Sequence, residues 1–247
     1  MSDYAPNGSL SHLPDRSELS IPALRANHPM RKMPERSKGS AIGYVICPTT
    51  NTIIKSESDT EHKAIQYLYA DPAVRRVQEQ FAAIEYPDDQ GEFHTHYLDL
   101  RAVTHAGSNF GFLVKPSSTA ARTRLSDFAK MLSDWTPSSV ADQLDVITER
   151  DMPEWQVRNS QHFLDVRRDH RTYTDELVAA AAPDLLDPIA IKDFAVQFGG
   201  GEFAFRPILR AIFFGTFVCV TPGLIDADSQ IQFSGAVTPD LDEVARR

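Results

Sequence analysis

Phe93-His94-Thr95-His96-Tyr97-Leu98-Asp99-Leu100, then Gly107-Ser108-Asn109, then Phe110-Gly111-Phe112-Leu113-Val114-Lys115-Pro116 is the stretch on which the fold turns. The first run alternates and is rich in aromatics. The triplet punctuates, and the last run stays apolar up to a lysine, so the whole predicts a β-hairpin. That hairpin brings Asp99, closing one strand, near Lys115, ending the other. Side chains alternate with period two, so Leu113 and Lys115 share one face and Phe112 and Val114 the other. Lys115 then faces the site, and Val114 packs behind it.

Upstream, Thr60 to Leu68 reads as a helix: Ile65, Leu68 and Tyr69 recur at helical spacing, and Asp71-Pro72 supplies a stop. Glu57 and Glu61, four apart, share a face. An acid on a helix, an acid at a strand end and a lysine on the neighbouring strand point to metal-dependent phosphodiester cleavage. Magnesium takes oxygen ligands and is held by one or two carboxylates plus substrate phosphate oxygens. Glu61 and Asp99 supply the carboxylates in this reading, and the Val114 carbonyl completes the inner shell. Lys115 orients or deprotonates the attacking water, or stabilises charge developing on the phosphate. The same three residues also read as a surface acid, a strand-end aspartate and a lysine whose stem lies on apolar surface.

The surrounding text narrows the choice. Glu57-Ser58-Asp59-Thr60-Glu61, Leu68-Tyr69-Ala70-Asp71-Pro72-Ala73-Val74, Gln78-Glu79-Gln80, Tyr97-Leu98-Asp99, Val114-Lys115-Pro116 and Val146-Ile147-Thr148-Glu149 with the later Asn159 follow one another in order. Together they resemble the TnsA family, the endonuclease subunit of heteromeric transposases, from about Ile42 to Asn159. The resemblance implies an α/β, restriction-endonuclease-like PD-(D/E)xK fold, a mixed sheet flanked by helices. It implies a magnesium- or manganese-dependent enzyme that cuts the 5′ strand at transposon ends, beside a TnsB-like transposase that handles the 3′ ends. Residue by residue it implies Glu61 as the helix glutamate, Asp99 as the metal aspartate and Lys115 as the catalytic lysine, with Gln80 matching a structural glutamine.

Two positions depart from the family pattern. Leu98 stands where Pro or a similar residue precedes the aspartate, which alters packing more than chemistry. Leu113 stands where the family carries Glu, Gln or another polar ligand two residues before the lysine, and a leucine binds no metal. Glu61, Asp99 and a carbonyl then suffice, or Glu57 or Glu149 substitutes, or the domain is a slow or inactive adaptor. A nuclease of the same fold in restriction or repair is a further alternative.

The 247 residues, 42% hydrophobic, are ample for a core, and the length allows one or two domains. The expected division is a flexible segment over 1–38, a nuclease-like domain over 39–152 and a helical, winged-helix-like partner-binding domain over 153–247. A net charge of −9 argues against a chain that finds DNA alone, because duplex affinity comes mostly from Lys and Arg. Arg25, Arg31, Lys32, Arg36 and Lys38, with His28 among them and only Glu35 opposing, form a basic arm or a solvated linker. Residues 1 to 24 read as disordered or as a docking segment.

Cys47 and Cys219 read as buried free thiols, no signal peptide opens the chain, and no apolar run reaches spanning length, so a cytoplasmic protein without membrane contact is expected. His94 and His96 share a strand face at a spacing compatible with zinc. By parity they point away from Asp99, and a structural or surface role is the reading; His105 falls in the turn.

Ser117 to Ser133 predicts one amphipathic helix with Leu125, Phe128, Ala129 and Leu132 on its apolar face. Arg122, Arg124 and Lys130 lie on it, lining DNA or merely solvated. Asp145 to Thr148 is a short strand. Helices near 154–171, 174–182, 187–197 and 203–214, a Gly199-Gly200-Gly201 hinge, and strands at Thr216 to Val220 and Ser229 to Phe233 complete the winged-helix-like pattern. The family resemblance implies a TnsC-like ATPase as that domain's partner, and the acidic ending, with Asp226, Asp228, Asp240, Asp242 and Glu243, disfavours DNA there.

Overall fold

The computed structural model describes residues 25–26, 42–169 and 173–235. Of the basic arm only Arg25 falls within it, as part of a strand. Arg31, Lys32, Arg36 and Lys38, and the reading of residues 1 to 24, lie outside the described residues.

Strands β1 (Arg25–Ala26), β2 (Gly43–Ile46) and β3 (Thr52–Ser56) form a small sheet in the order β1-β3-β2. Helix α1 (Asp59–Tyr69) follows, started by Ser58, whose side chain accepts the Glu61 N–H at 3.2 Å. Glu61 reaches back and accepts the Glu57 N–H at 2.8 Å, a reciprocal exchange of the capping-box kind across the Ser-x-x-Glu spacing. Then come β4 (Val74–Glu79), β5 (Ala83–Pro87), β6 (Phe93–Tyr97), β7 (Leu100–Thr104), β8 (Asn109–Val114), α2 (Ser117–Arg122), α3 (Leu125–Ser133) and β9 (Gln143–Ile147).

The main sheet has the order β4-β7-β8-β9, antiparallel except for the parallel β8/β9 pair, which the helical crossover α2–α3 connects. It is a mixed sheet flanked by helices. On one face Ala64, Ile65, Leu68 and Tyr69 of α1 pack on Val77, Leu100, Ala102 and Val114. On the other, Leu125, Ala129 and Leu132 of α3 pack on Leu98, Leu113 and Leu144. Each fully buried Leu or Ile contributes about 1.5–3 kcal/mol. Gly111 leaves room for the side chains of its neighbours: a Cβ there would meet Leu144 Cδ2 at 2.5 Å and Leu98 Cδ1 at 2.9 Å.

Before residue 153, two expected elements come out differently. The strand over Phe93 to Leu100 is divided, since Phe93–Tyr97 pairs with β5 in a separate two-stranded ribbon and Leu100–Thr104 pairs with β8. Leu98 stays with the ribbon, its N–H donating to the Ala82 carbonyl, while Leu100 faces Phe112 in the main sheet. Alternation runs through the junction, so the pattern alone hides it. The helix expected over Ser117 to Ser133 breaks at Arg124, which takes a left-handed φ of 51°. The apolar stripe belongs to α3 alone; α2 buries no residue and gains nothing from continuing in line.

Beyond residue 153 the chain forms α4 (Glu154–Arg168), α5 (Tyr173–Ala181), β10 (Ile189–Ala190), α6 (Ile191–Ala195), α7 (Gly201–Phe213), β11 (Phe217–Cys219) and β12 (Gln230–Phe233). The strands make an antiparallel sheet, β10-β12-β11. The expected helix over 187–197 is thus shorter, opened by two strand residues that pair with β12. Gly199, Gly200 and Gly201 all have positive φ and turn the chain into α7. Ile191, Phe194, Ala204, Ile208, Phe217 and Ile231 give this region its own core. Helix α4 joins the two cores: Val157 and Leu164 belong to the α1 layer and Val166 to the second core. Arg167 adds a bond to the Tyr69 carbonyl at 2.6 Å. Cys47 is buried and Cys219 half-buried, both free. Among the described residues no helix is long and apolar enough to cross a membrane.

Candidate active site

Asp99 stands where β6 has ended and β7 has not begun, and where β7 and β8 part. Strand pairing ends at Leu100↔Phe112, and the Asp99 side chain takes over: Oδ2 accepts the Val114 N–H at 2.8 Å. The same oxygen accepts from Lys115 Nζ at 2.9 Å. The Lys115 N–H continues the parallel ladder by donating to the Ile147 carbonyl at 3.2 Å, which fixes the backbone from which the ammonium reaches across. Asp99 is 8% exposed, so its charge is held by these two donors rather than by water.

Glu61 comes to the same place from α1. It is 7% exposed. Burial pushes its carboxyl above the usual glutamate range and the charge of Asp99 adds to the rise, while the Glu57 N–H and the Lys115 charge oppose it. Glu61, Asp99 and Lys115 therefore share one electrostatic neighbourhood, at the end of the sheet where the N-terminus of α1 meets the ends of β7 and β8.

The other expected residues divide. Val114 packs in the α1 layer, behind Lys115. Leu113 is 1% exposed and packs in the α3 layer with Leu98 and Leu144. Glu149 is committed elsewhere: its two oxygens accept from the Ser117 hydroxyl and the Ser117 N–H. Ser117 and Thr148 line a cavity of about 420 Å³ with Arg124, Ser126, Arg150 and Asp151. Arg122, Arg124 and Lys130 are exposed, and Arg124 pairs with Asp127 at 2.9 Å.

His105 is exposed in its turn, as expected, but the parity argument fails for His96. The bend at Leu98-Asp99 cancels the alternation, and His96 lies within electrostatic reach of Asp99 and Lys115. Burial pushes its imidazole below the usual histidine range; Asp99 opposes and Lys115 adds. Its Nε2 is buried without a hydrogen-bond partner, and its ring stands edge-on to Phe128 at 5.1 Å. His94 instead joins Asp88 and Glu92 on the exposed ribbon, the one such group of three with spacing fit for a cation among the described residues. Asp88 already serves the turn there, accepting the Gln90 and Glu92 N–H groups on Oδ1 and facing His94 Nε2 at 2.8 Å with Oδ2.

At the end of β4, where the resemblance implied a structural role for Gln80, the chain buries three polar residues. Gln78, Glu79 and Gln80 are 7%, 4% and 3% exposed. Glu79 accepts the Lys55 N–H at 3.3 Å. Gln80 has a left-handed φ of 45°, donates its N–H to the Asp99 carbonyl at 3.1 Å, and keeps its Oε1 buried with no partner. Three consecutive polar residues ordinarily mark a strand leaving the core, and only the pairing with β7 shows that these do not. No protein-family model matches this chain, and no curated protein matches it.

Proposed function

We propose that this chain is a metal-dependent DNA endonuclease, built on a restriction-endonuclease-like core with a winged-helix-like partner-binding region after residue 153. The observation that carries the reading is the contact between Lys115 Nζ and Asp99 Oδ2 at the point where β7 and β8 diverge, with buried Glu61 beside it. A lysine that merely covered apolar surface would have no reason to reach a buried carboxylate.

The residues fit a magnesium or manganese ion. Both Asp99 bonds fall on Oδ2 and the Glu57 bond of Glu61 falls on Oε2, so each carboxylate has a second oxygen that carries none of them. Hard cations take such oxygens, and Glu61, Asp99 and the Val114 carbonyl would hold the ion. When bound, the metal supplies Lewis-acid polarisation of the phosphate and a more acidic water. Lys115 contributes a positive charge fixed beside the reacting phosphate, where it stabilises the extra negative charge of the transition state. Asp99 holds that ammonium in place. Glu61, with its elevated proton affinity, loses its proton most readily when positive charge is brought to it.

The resemblance to TnsA favours transposon ends as substrate, 5′-strand cleavage, and action with a TnsB-like transposase and a TnsC-like ATPase. The charge of −9 favours recruitment by partners over independent DNA binding. Purified protein, partner transposase, magnesium and an end duplex test this: strand cleavage is expected, abolished by Asp99→Ala and by Lys115→Ala. Cleavage undiminished in those variants sinks the assignment. The burial of Leu113 favours one second reading, an adaptor that keeps the fold without cutting; wild-type protein that supports complex assembly but leaves the 5′ strand intact would select it.

A further inference from the structure

Gln80 combines three properties that an ordinary core residue lacks. Its backbone is left-handed, at φ 45°, although it has a side chain. It is 3% exposed. Its Oε1 is buried and accepts no hydrogen bond. Leaving such an oxygen unpaired is costly, and a left-handed non-glycine backbone adds strain. Both penalties fall on one residue, and that residue adjoins Asp99: just beyond the last β4/β7 pair, Glu79↔Leu100, the Gln80 N–H meets the Asp99 carbonyl at 3.1 Å.

From this juxtaposition we infer that Gln80 Oε1 is the neutral oxygen ligand of the Asp99 metal site, taking the part that Leu113 cannot. The inference rests on the metal-site reading above and names its missing donor. A side-chain amide oxygen is a normal ligand for a hard divalent cation, and a cation compensates the oxygen as a donor N–H would. Glu149, bound to Ser117 through both oxygens, does not compete for the role. Leu113, facing the α3 layer, remains free to be apolar.

The test uses the full chain and manganese(II) alone, with free ion followed by electron paramagnetic resonance and the metal-free unfolding midpoint recorded for every variant. Wild type is expected to bind one ion and Asp99→Asn to lose it. Gln80→Leu is expected to weaken binding at least tenfold without lowering the metal-free midpoint, because it removes an unsatisfied group. Gln80→Glu, which adds a charge to the same ligand position, is expected to bind several-fold tighter. Loss in Asp99→Asn with both Gln80 variants within twofold of wild type overturns the Gln80 assignment and leaves the Asp99 site standing. A Gln80→Leu midpoint well below wild type, with unchanged affinity in Gln80→Glu, also overturns it in favour of a packing role. No binding by wild type, or equal binding by Asp99→Asn, overturns the Asp99 site and the Gln80 ligand together.

Discussion

Lys115 Nζ lies 2.9 Å from Asp99 Oδ2, and that same oxygen takes the Val114 N–H at 2.8 Å. Asp99 thus has a structural duty and an electrostatic one, and substitutions separate them. Asp99→Asn keeps an oxygen for the Val114 N–H, so its stability should stay within about 1 kcal/mol of wild type, whereas Asp99→Ala strands a buried donor and should lose about 1–3 kcal/mol. Both should reduce metal-dependent cleavage by about 100-fold or more, since both remove the charged ligand. Urea unfolding beside end-duplex cleavage checks the pair; an active Asp99→Asn would show that the carboxylate is structural alone.

Glu61 makes stability depend on pH in a direction its burial fixes. Its proton affinity is higher in the fold than in the unfolded chain, so its favourable contribution is complete below the unfolded value of about 4.3 and is lost as pH rises through the higher folded value. Glu61→Gln, which can still accept the Glu57 N–H, should therefore be more stable than wild type at pH 7, and the gap should close as pH falls below about 4.3. Thermal unfolding of both proteins between pH 3.5 and 7.5 tests this, and a gap that widens on acidification would contradict it. Added manganese should narrow the gap at pH 7 by stabilising only the carboxylate form.

Leu113 invites a substitution by a polar residue that could serve as a metal ligand. Its side chain lies in the α3 layer against Leu98 and Leu144, so Leu113→Gln buries an amide among apolar groups and removes packing. A loss of about 2–4 kcal/mol is expected, with no gain in metal affinity. Tighter manganese binding in that variant would show that the position reaches the metal.

What the sequence made legible here follows from how local each signal is. Asp99 and Lys115 were within reach because they end neighbouring strands of one hairpin, and Glu61 because its helix has a clear apolar face and a proline stop. The division of Phe93 to Leu100 was not, since hydrophobic alternation is the same whether a strand continues or changes sheets at Leu98. The error in placing His96 follows directly, because parity counts only within one strand. Gln80 was named only as a structural glutamine, and its burial was hidden for another reason: polarity reports exposure on average, and a buried unsatisfied amide departs from that average. The break at Arg124 arises because α2 has no apolar face, a feature that a count over the whole segment conceals.

The second core is tied together by a buried ion pair whose geometry predicts strongly asymmetric mutational effects. Arg210, 5% exposed on α7, donates to both oxygens of Asp175 on α5 at 2.6 and 2.8 Å and to the Val166 carbonyl of α4 at 3.0 Å. Asp175→Ala leaves the guanidinium buried without its two-pronged partner and should cost about 3–5 kcal/mol. Arg210→Lys should also destabilise, because an ammonium cannot match the paired geometry. The double replacement Arg210→Met with Asp175→Leu should recover most of the loss. Denaturant midpoints of these variants beside wild type decide it.

Asn159 performs the corresponding task between α4 and the loop that joins β11 to β12. Its Nδ2 donates to the Gly223 carbonyl at 3.0 Å and its Oδ1 accepts the Ile225 N–H at 2.9 Å, so one amide pins both sides of the loop. Asn159→Asp keeps the acceptor but sets a carboxylate oxygen against the Gly223 carbonyl, so the charged form is disfavoured in the fold. Its folded proton affinity then exceeds the unfolded value of about 3.9, and the variant should be weakened by about 1–3 kcal/mol at pH 7. Protonation restores a donor towards Gly223, so the deficit should shrink as pH falls towards 4 and below. Amide exchange at Ile225 reports the loop directly: faster exchange in Asn159→Asp at pH 7, slowing relative to wild type on acidification, is the expected result. Exchange unchanged by the substitution would mean that Ile225 is held by packing alone.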